Sequence, residues 1–285
     1  MNKTNRNLLV AVAVLFLLSA LTYRQSVGRA DRFQRGQLFL SNLNPDEIAT
    51  IEISKGDETV NLRRQGDRFT TVEKQDYPAS NASVNKFLRD LLEIGLEREV
   101  GRSDGLAQEL GIEPAGEETI EVALISSADK EMVRLRVGES SEDGAGNYIQ
   151  RLDEENAPIY LTSRGVRLSS DASSFLHKEI TDHPSTEVVG VRASDFVLEK
   201  AVDGDKLELA DLPGGQQLKA SEVNRLQSVL SGLRYDDVFV ADDSEVSGLD
   251  FGTSLKIDLA DGSSYVLTHA QDGDRHFLRI RPMLS

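Results

Sequence analysis

Apolar and polar residues alternate in two sets of short runs, and a stretch of helical spacing interrupts each set. The first set covers residues 48–54, 59–64 and 69–73, then 119–125, 132–137 and 148–152; the second covers 187–192, 196–200 and 206–210, then 254–259, 265–268 and 276–280. A period of two sends alternate side chains to opposite faces, as in antiparallel strands with one face in water. Turn residues separate the runs at Gly56-Asp57, Asp203-Gly204, Asp261-Gly262 and Asp272-Gly273. The interruptions also match. Val84, Phe87, Leu88, Leu91 and Leu92 fall at i, i+3, i+4, i+7 and i+8, and Val223, Leu226, Leu230 and Leu233 keep a similar rhythm. Both stretches open with Val-Asn-basic (Val84-Asn85-Lys86 and Val223-Asn224-Arg225), and each is followed by a Gly-aliphatic-acid step, Gly111-Ile112-Glu113 or Gly248-Leu249-Asp250. The spacing predicts amphipathic helices, with Ser80 or Asn81 capping the first and Ser221 the second. A further helix is expected over residues 165–179.

The expectation is therefore an α+β body of two tandem repeats, each an antiparallel sheet around one amphipathic helix. Boundaries are expected at 1–32 for an N-terminal anchor and its flank, 33–183 for the first repeat and 184–285 for the second.

The anchor is read from residues 8–21, LLVAVAVLFLLSAL, where Ser19 is the only polar residue. Extended to Thr22 and Tyr23, the run spans roughly 24 Å as a helix, against roughly 30 Å of bilayer hydrocarbon. A cleaved signal peptide would have a shorter apolar core and a small-x-small cleavage site. The sequence Ser19-Ala20-Leu21-Thr22-Tyr23 fits that site poorly, which favours an uncleaved signal-anchor in the lipid bilayer through residues 8–23. Lys3 and Arg6 precede the run, and Arg24, Arg29, Arg32 and Arg35 follow it, so positive charge does not decide orientation. The very short leader favours a cytoplasmic N-terminus.

Net charge is −16, unevenly placed. Residues 1–32 hold five basic residues against Asp31, a net of +4, which leaves −20 on the remainder. So acidic a body repels phosphate backbones, and nucleic acid is excluded as a partner. The absence of cysteine removes disulfides, thiolate chemistry and cysteine-ligated metals. Ser83-Val84-Asn85-Lys86 matches an S-x-x-K nucleophile pattern but lacks its companion motifs, and Val84 belongs to a buried helix face. His177, His183, His269 and His276 lack metal-ligand spacing, although His269 and His276 flank one turn and are expected to approach across a hairpin. The acidic clusters at 153–155, 236–237 and 242–243 do not follow a calcium-loop pattern. Gly144-Ala145-Gly146-Asn147 lacks the third glycine of a dinucleotide loop and reads as a hairpin loop. No catalytic, cofactor-binding or metal residue is assigned, and a non-enzymatic protein without cofactors is expected.

A family resemblance adds to this. The helix opening at Val84-Asn85, the stretch Leu106-Ala107-Gln108-Glu109-Leu110-Gly111-Ile112-Glu113-Pro114, the strand ending Val137-Gly138-Glu139, and the strands at Tyr148 and at Ile159-Tyr160-Leu161 stand in a characteristic order. That order resembles a bacterial family described as domain of unknown function 4340, with Ile112 where its pattern usually has leucine. The likeness covers residues 45–180, with the second half as a degenerate copy. Such a resemblance implies a single-pass inner-membrane protein, N-terminus cytoplasmic and body periplasmic. It further implies an accessory or scaffold subunit beside the permease and auxiliary subunits of an ABC transporter of the gliding-motility type. An envelope module binding a glycan or peptide is the alternative, and a hydrolase comes last.

Overall fold

The computed structural model describes residues 36–284 apart from 42, 103, 114, 115, 117, 118, 202, 203, 205 and 213, and of the N-terminal stretch only Leu15 and Ser19. Apart from those two residues, the expected membrane helix over 8–23 lies outside the described residues. Among the described residues no helix is long and apolar enough to cross a membrane.

The chain divides into two compact units, Met1–Phe175 and Leu176–Ser285. In the first, β1 (Ile48–Lys55), β2 (Glu58–Gln65), β3 (Arg68–Thr71) and β4 (Tyr77–Pro78) precede helix α1 (Asn81–Leu92). β5 (Leu96–Gly101), the short helix α2 (Asp104–Glu109), β6 (Ile120–Ser126), β7 (Glu131–Ser140), β8 (Asn147–Arg151) and β9 (Ile159–Thr162) follow. They form one antiparallel sheet in the order β4-β3-β2-β1-β6-β7-β8-β9-β5. The second unit contains β10 (Glu179–Thr181), β11 (Val188–Arg192), β12 (Val197–Lys200), β13 (Leu207–Leu209), helix α3 (Ala220–Gln227), β14 (Leu233–Arg234), β15 (Thr253–Leu259), β16 (Ser264–Asp272) and β17 (Arg275–Met283). Its main sheet runs β13-β12-β11-β15-β16-β17, while β10 and β14 pair separately.

The six-strand order β3-β2-β1-β6-β7-β8 thus recurs as β13-β12-β11-β15-β16-β17. The likeness extends to irregularities. A 3-10 turn leads into β1 and another into β11, and each of these strands slips register after its first residue, between Ile48 and Thr50 and between Val188 and Gly190. Bulges at matched positions re-aim the strand in the same way in both units.

The class expected from the sequence, α+β, is overturned. Strand makes up 42% of the described residues and helix 17%, so the protein is mostly β. The helices are shorter than the apolar spacing suggested, for local reasons. After Leu92 the chain turns into β5, whose charged residues line a sheet edge; α3 ends at Gln227. The helix expected over 165–179 is irregular apart from a 3-10 turn at Ala172–Phe175. There the Asp171 carboxylate accepts from the Ser173 amide at 2.8 Å, and the Ser169 and Ser174 hydroxyls pair at 2.7 Å. Side chains that bond to nearby backbone in this way compete with helical hydrogen bonds. Ser80 caps α1, accepting from the Ser83 amide at 3.2 Å, whereas α3 starts after Lys219 with Ser221 already inside it.

The core of the first unit lies between the sheet and α1. Ile51, Ile53, Leu62, Leu124, Leu135 and Ile149 meet Val84, Phe87, Leu88 and Leu91, and Phe87 packs edge-on to Phe175 with centroids 5.6 Å apart. Each such side chain contributes about 1.5–3 kcal/mol on burial. In the second unit Val191, Ile257 and Leu267 face Val223 and Leu230. A smaller cluster of Val246, Ala270 and Phe277 is packed by Phe239, Leu249 and Phe251.

In the first unit the segment after α2 locks onto β7. Gly111 adopts φ +59°, Ile112 behind it is fully buried, and a Cβ on Gly138 would sit 2.7 Å from the Gly111 carbonyl oxygen and 3.0 Å from Ile112 Cβ. The Thr119 hydroxyl holds that carbonyl, donating at 2.9 Å. Gly111 and the strand-end glycine Gly138 therefore meet in one contact. Gly138 is glycine because the Gly111 backbone leaves no room for a Cβ, and Gly111 because its φ is positive and a Cβ there would meet the Glu139 side chain at 2.5 Å.

Candidate functional site

A groove of about 550 Å³ lies at the end of the first unit's sheet, where β9 and β5 pair. Four separate segments build it. Residues 36–39 run along the outer edge of β5: the Gly36 amide donates to Leu96, the Leu96 amide to Gln37 and the Phe39 amide to Ile94, each at 2.8 Å. β5 supplies Leu96 and Glu99, with Arg102 just beyond; the end of β8 and the β8–β9 connection supply Arg151, Glu154, Ala157 and Pro158; β9 supplies Tyr160.

The floor is apolar. Phe39, Leu96 and Ala157 are buried, and the Phe39 and Tyr160 rings meet edge to face, centroids 6.3 Å apart at 74°. Glu99 and Tyr160 are cross-strand partners, which places carboxylate and phenol side by side. Burial, and after it the Glu99 charge, pushes the Tyr160 phenol above its ordinary pKa. The phenol therefore stays protonated.

The rim carries paired charges. Arg102 Nε donates to Glu99 Oε1 at 3.0 Å. Arg151 Nε donates to Asp153 Oδ1 at 3.1 Å, and its guanidinium lies 3.2 Å from Glu154. Burial raises the Asp153 carboxyl, but the Arg151 guanidinium outweighs it and the net shift is downward. Two guanidiniums with exchangeable carboxylates over an aromatic floor can bind an extended segment or an anionic group.

The sequence candidates lie elsewhere. Ser83 stands in the first turn of α1, and Lys86 pairs with Asp90 one turn on, an ordinary i,i+4 ion pair. His183 lies between Glu187 (Nδ1 to Oε2, 2.9 Å) and the Tyr265 hydroxyl (Nε2, 3.0 Å). His177 Nδ1 lies 3.2 Å from the Glu179 carbonyl oxygen. His269 and His276 do meet across the β16–β17 hairpin, Nε2 to Nδ1 at 3.0 Å. Among the described residues no three His, Cys, Asp or Glu side chains converge on a metal position. Asp237 and Asp243 accept from nearby amides, those of Val238 and Glu245, within their loops. Gly144–Asn147 joins β7 to β8, and a Cβ on Gly146 would lie 2.1 Å from the Thr162 carbonyl oxygen.

No spacing rule points to the groove, because its walls lie more than 100 residues apart in sequence at their extremes, Gln37 and Tyr160. The one available sign was the charged strand 96–101, too polar for a core strand and flanked by Arg102.

A family model with the description Domain of unknown function (DUF4340) matches residues 69–251, from β3 to just before β15, and so takes in parts of both units. No curated protein and no solved structure matches the chain.

Proposed function

The chain belongs to the DUF4340 family, and on that premise we propose that it is a non-enzymatic accessory or scaffold subunit working at the bacterial inner membrane. In this reading residues 8–23 anchor the chain in the bilayer, the N-terminus is cytoplasmic and the two β units stand outside the cytoplasm. Permease and auxiliary subunits of an ABC-type transporter are its partners. The groove of the first unit carries the proposal. Its aromatic floor of Phe39 and Tyr160 and its rim of Arg102 and Arg151 suit a protein segment, and the charged side chains are already neutralised in pairs. A partner carboxylate can replace Glu99 or Glu154 at little electrostatic cost.

Affinity purification of the tagged full chain from detergent-solubilised membranes tests this. Transporter subunits co-purify with the wild type and are depleted with Arg102→Glu/Arg151→Glu. Clean purification of the folded wild type alone refutes the scaffold reading. A reporter at the C-terminus that is active only in the cytosol refutes the topology.

The same groove favours a second reading, a module that binds an envelope peptide or glycan. With no Trp in the chain, peptide is the better fit than stacked sugar. A thermal upshift of the isolated chain with short peptides, in the absence of any transporter subunit, separates this from the scaffold role.

A further inference from the structure

We infer that the outer edge of β17 receives an antiparallel strand from another protein, an extended segment in which acidic and apolar residues alternate. This stands independently of the groove and its proposed partner.

The order of the second sheet ends at β17, which is registered with β16 from Asp272↔Arg275 to Ser264↔Met283. The two strands are joined by the two-residue turn Gly273-Asp274, with Gly273 at φ +57°. In such a hairpin the residues flanking the turn form a hydrogen-bonded pair. Arg275, Phe277, Arg279 and Arg281 therefore direct their backbone groups at β16. His276, Leu278 and Ile280 direct theirs outward, and Pro282 ends the usable edge.

The first unit shows the same position filled. β8 stands in its sheet where β17 stands in the second, and β9 occupies its outer edge, with Ile149 opposite Tyr160. Carried through the matched bulges and registers, Ile149 corresponds to Leu278. Ile149 is fully buried, whereas Leu278 is 42% exposed. Among the described residues nothing plays the part of β9 in the second unit, and β14, which follows its helix as β5 follows α1, pairs with β10.

Charge selects the occupant. One face of β17 carries Arg275, Arg279 and Arg281 in a chain of net charge −16. Arg275 is paired with Glu245 and Arg279 lies over the Phe251 ring, which fixes the row in place. Two copies pairing edge to edge would set these arginine rows side by side, a repulsive arrangement. An anionic bilayer would meet the acidic remainder of the body. An incoming strand with acids beside the arginines and apolar residues beside Leu278 and Ile280 meets neither obstacle.

The test uses the full chain in detergent, titrated calorimetrically with the capped peptide Glu-Val-Glu-Tyr-Glu-Val-Glu. Saturable binding is expected, with the lysine analogue at least about tenfold weaker and Arg281→Glu weakening the glutamate peptide by about fivefold. N-methylation at the Val and Tyr positions, whose amides face β17, abolishes binding, and N-methylation at the Glu positions does not. Four results overturn the inference: no saturation below about 1 mM, equal binding of the lysine peptide, indifference to the methylated positions, or self-association of the chain at this edge without peptide. Binding to phosphatidylglycerol vesicles in place of the peptide likewise overturns it, assigning the arginine row to lipid.

Discussion

Gly138→Ala is a small change with a large expected cost. The added methyl would sit 2.7 Å from the Gly111 carbonyl oxygen, and ordinary contact begins at 3.4 Å, so one backbone must retreat by roughly 0.7 Å in a close-packed interior. Retreat of the Gly111 segment is resisted. The Gly111 carbonyl is held by the Thr119 hydroxyl at 2.9 Å, and Ile112 next to it has no exposed surface. Overpacking costs about 1–3 kcal/mol, and loss of the hydrogen bond adds about 1 kcal/mol, so a total of about 2–4 kcal/mol is expected. Urea denaturation followed by far-UV circular dichroism measures the loss, and hydrogen exchange localises it to 107–119 and β7. Gly144→Ala is the control: its φ is +68° but nothing lies within 4 Å, so backbone strain of about 1–2 kcal/mol is the whole effect. If Gly138→Ala costs under about 0.5 kcal/mol, or no more than Gly144→Ala, the interlocking of Gly111 and Gly138 is refuted.

Leu91→Ala empties a fully buried position and should cost about 2–5 kcal/mol, while Leu278→Ala at the exposed edge should fall within about 0.5 kcal/mol; equal effects in urea melts would contradict the described burial. Ser80→Ala removes the α1 cap and should cost about 1 kcal/mol, recovered in Ser80→Asp. Burial pushes the Glu121 carboxyl up, but hydrogen bonds and charge from Arg134 and Arg136 bring its net pKa below the ordinary value. A folded-state pKa below the unfolded one gives stability that is present above the unfolded value and lost as pH falls through the folded one. Glu121→Gln should therefore destabilise by up to about 1 kcal/mol at neutral pH and make no difference near pH 2; a penalty that persists in acid would rule out the ionic origin.

The strands were legible because their chemistry is local. Ile51, Ile53, Val60 and Leu62 alternate with polar residues, and one register buries all four. The rhythm of α1 was equally clear, since Val84, Phe87, Leu88 and Leu91 form one buried face. β5 escaped because Leu96-Glu97-Arg98-Glu99-Val100 has no apolar face of its own; pairing with β9, about 60 residues further on, makes it a strand. The Ser-rich stretch before Phe175 misled in the opposite direction, offering a helix-like length while its side chains bonded to their own backbone. The groove was illegible for the same reason as β5, because long-range pairing brings its walls together.

The strand order also governs how the protein comes into being. In each unit the first long strand ends up in the middle of its sheet: Ile51 waits for Leu124, and Val191 for Ile257. Loop-closure entropy must be met before those central ladders form, so folding is slow and late relative to synthesis. A nascent chain cut off before β6 possesses hairpins but no finished core. Each unit acquires its shape only after its second half has been made.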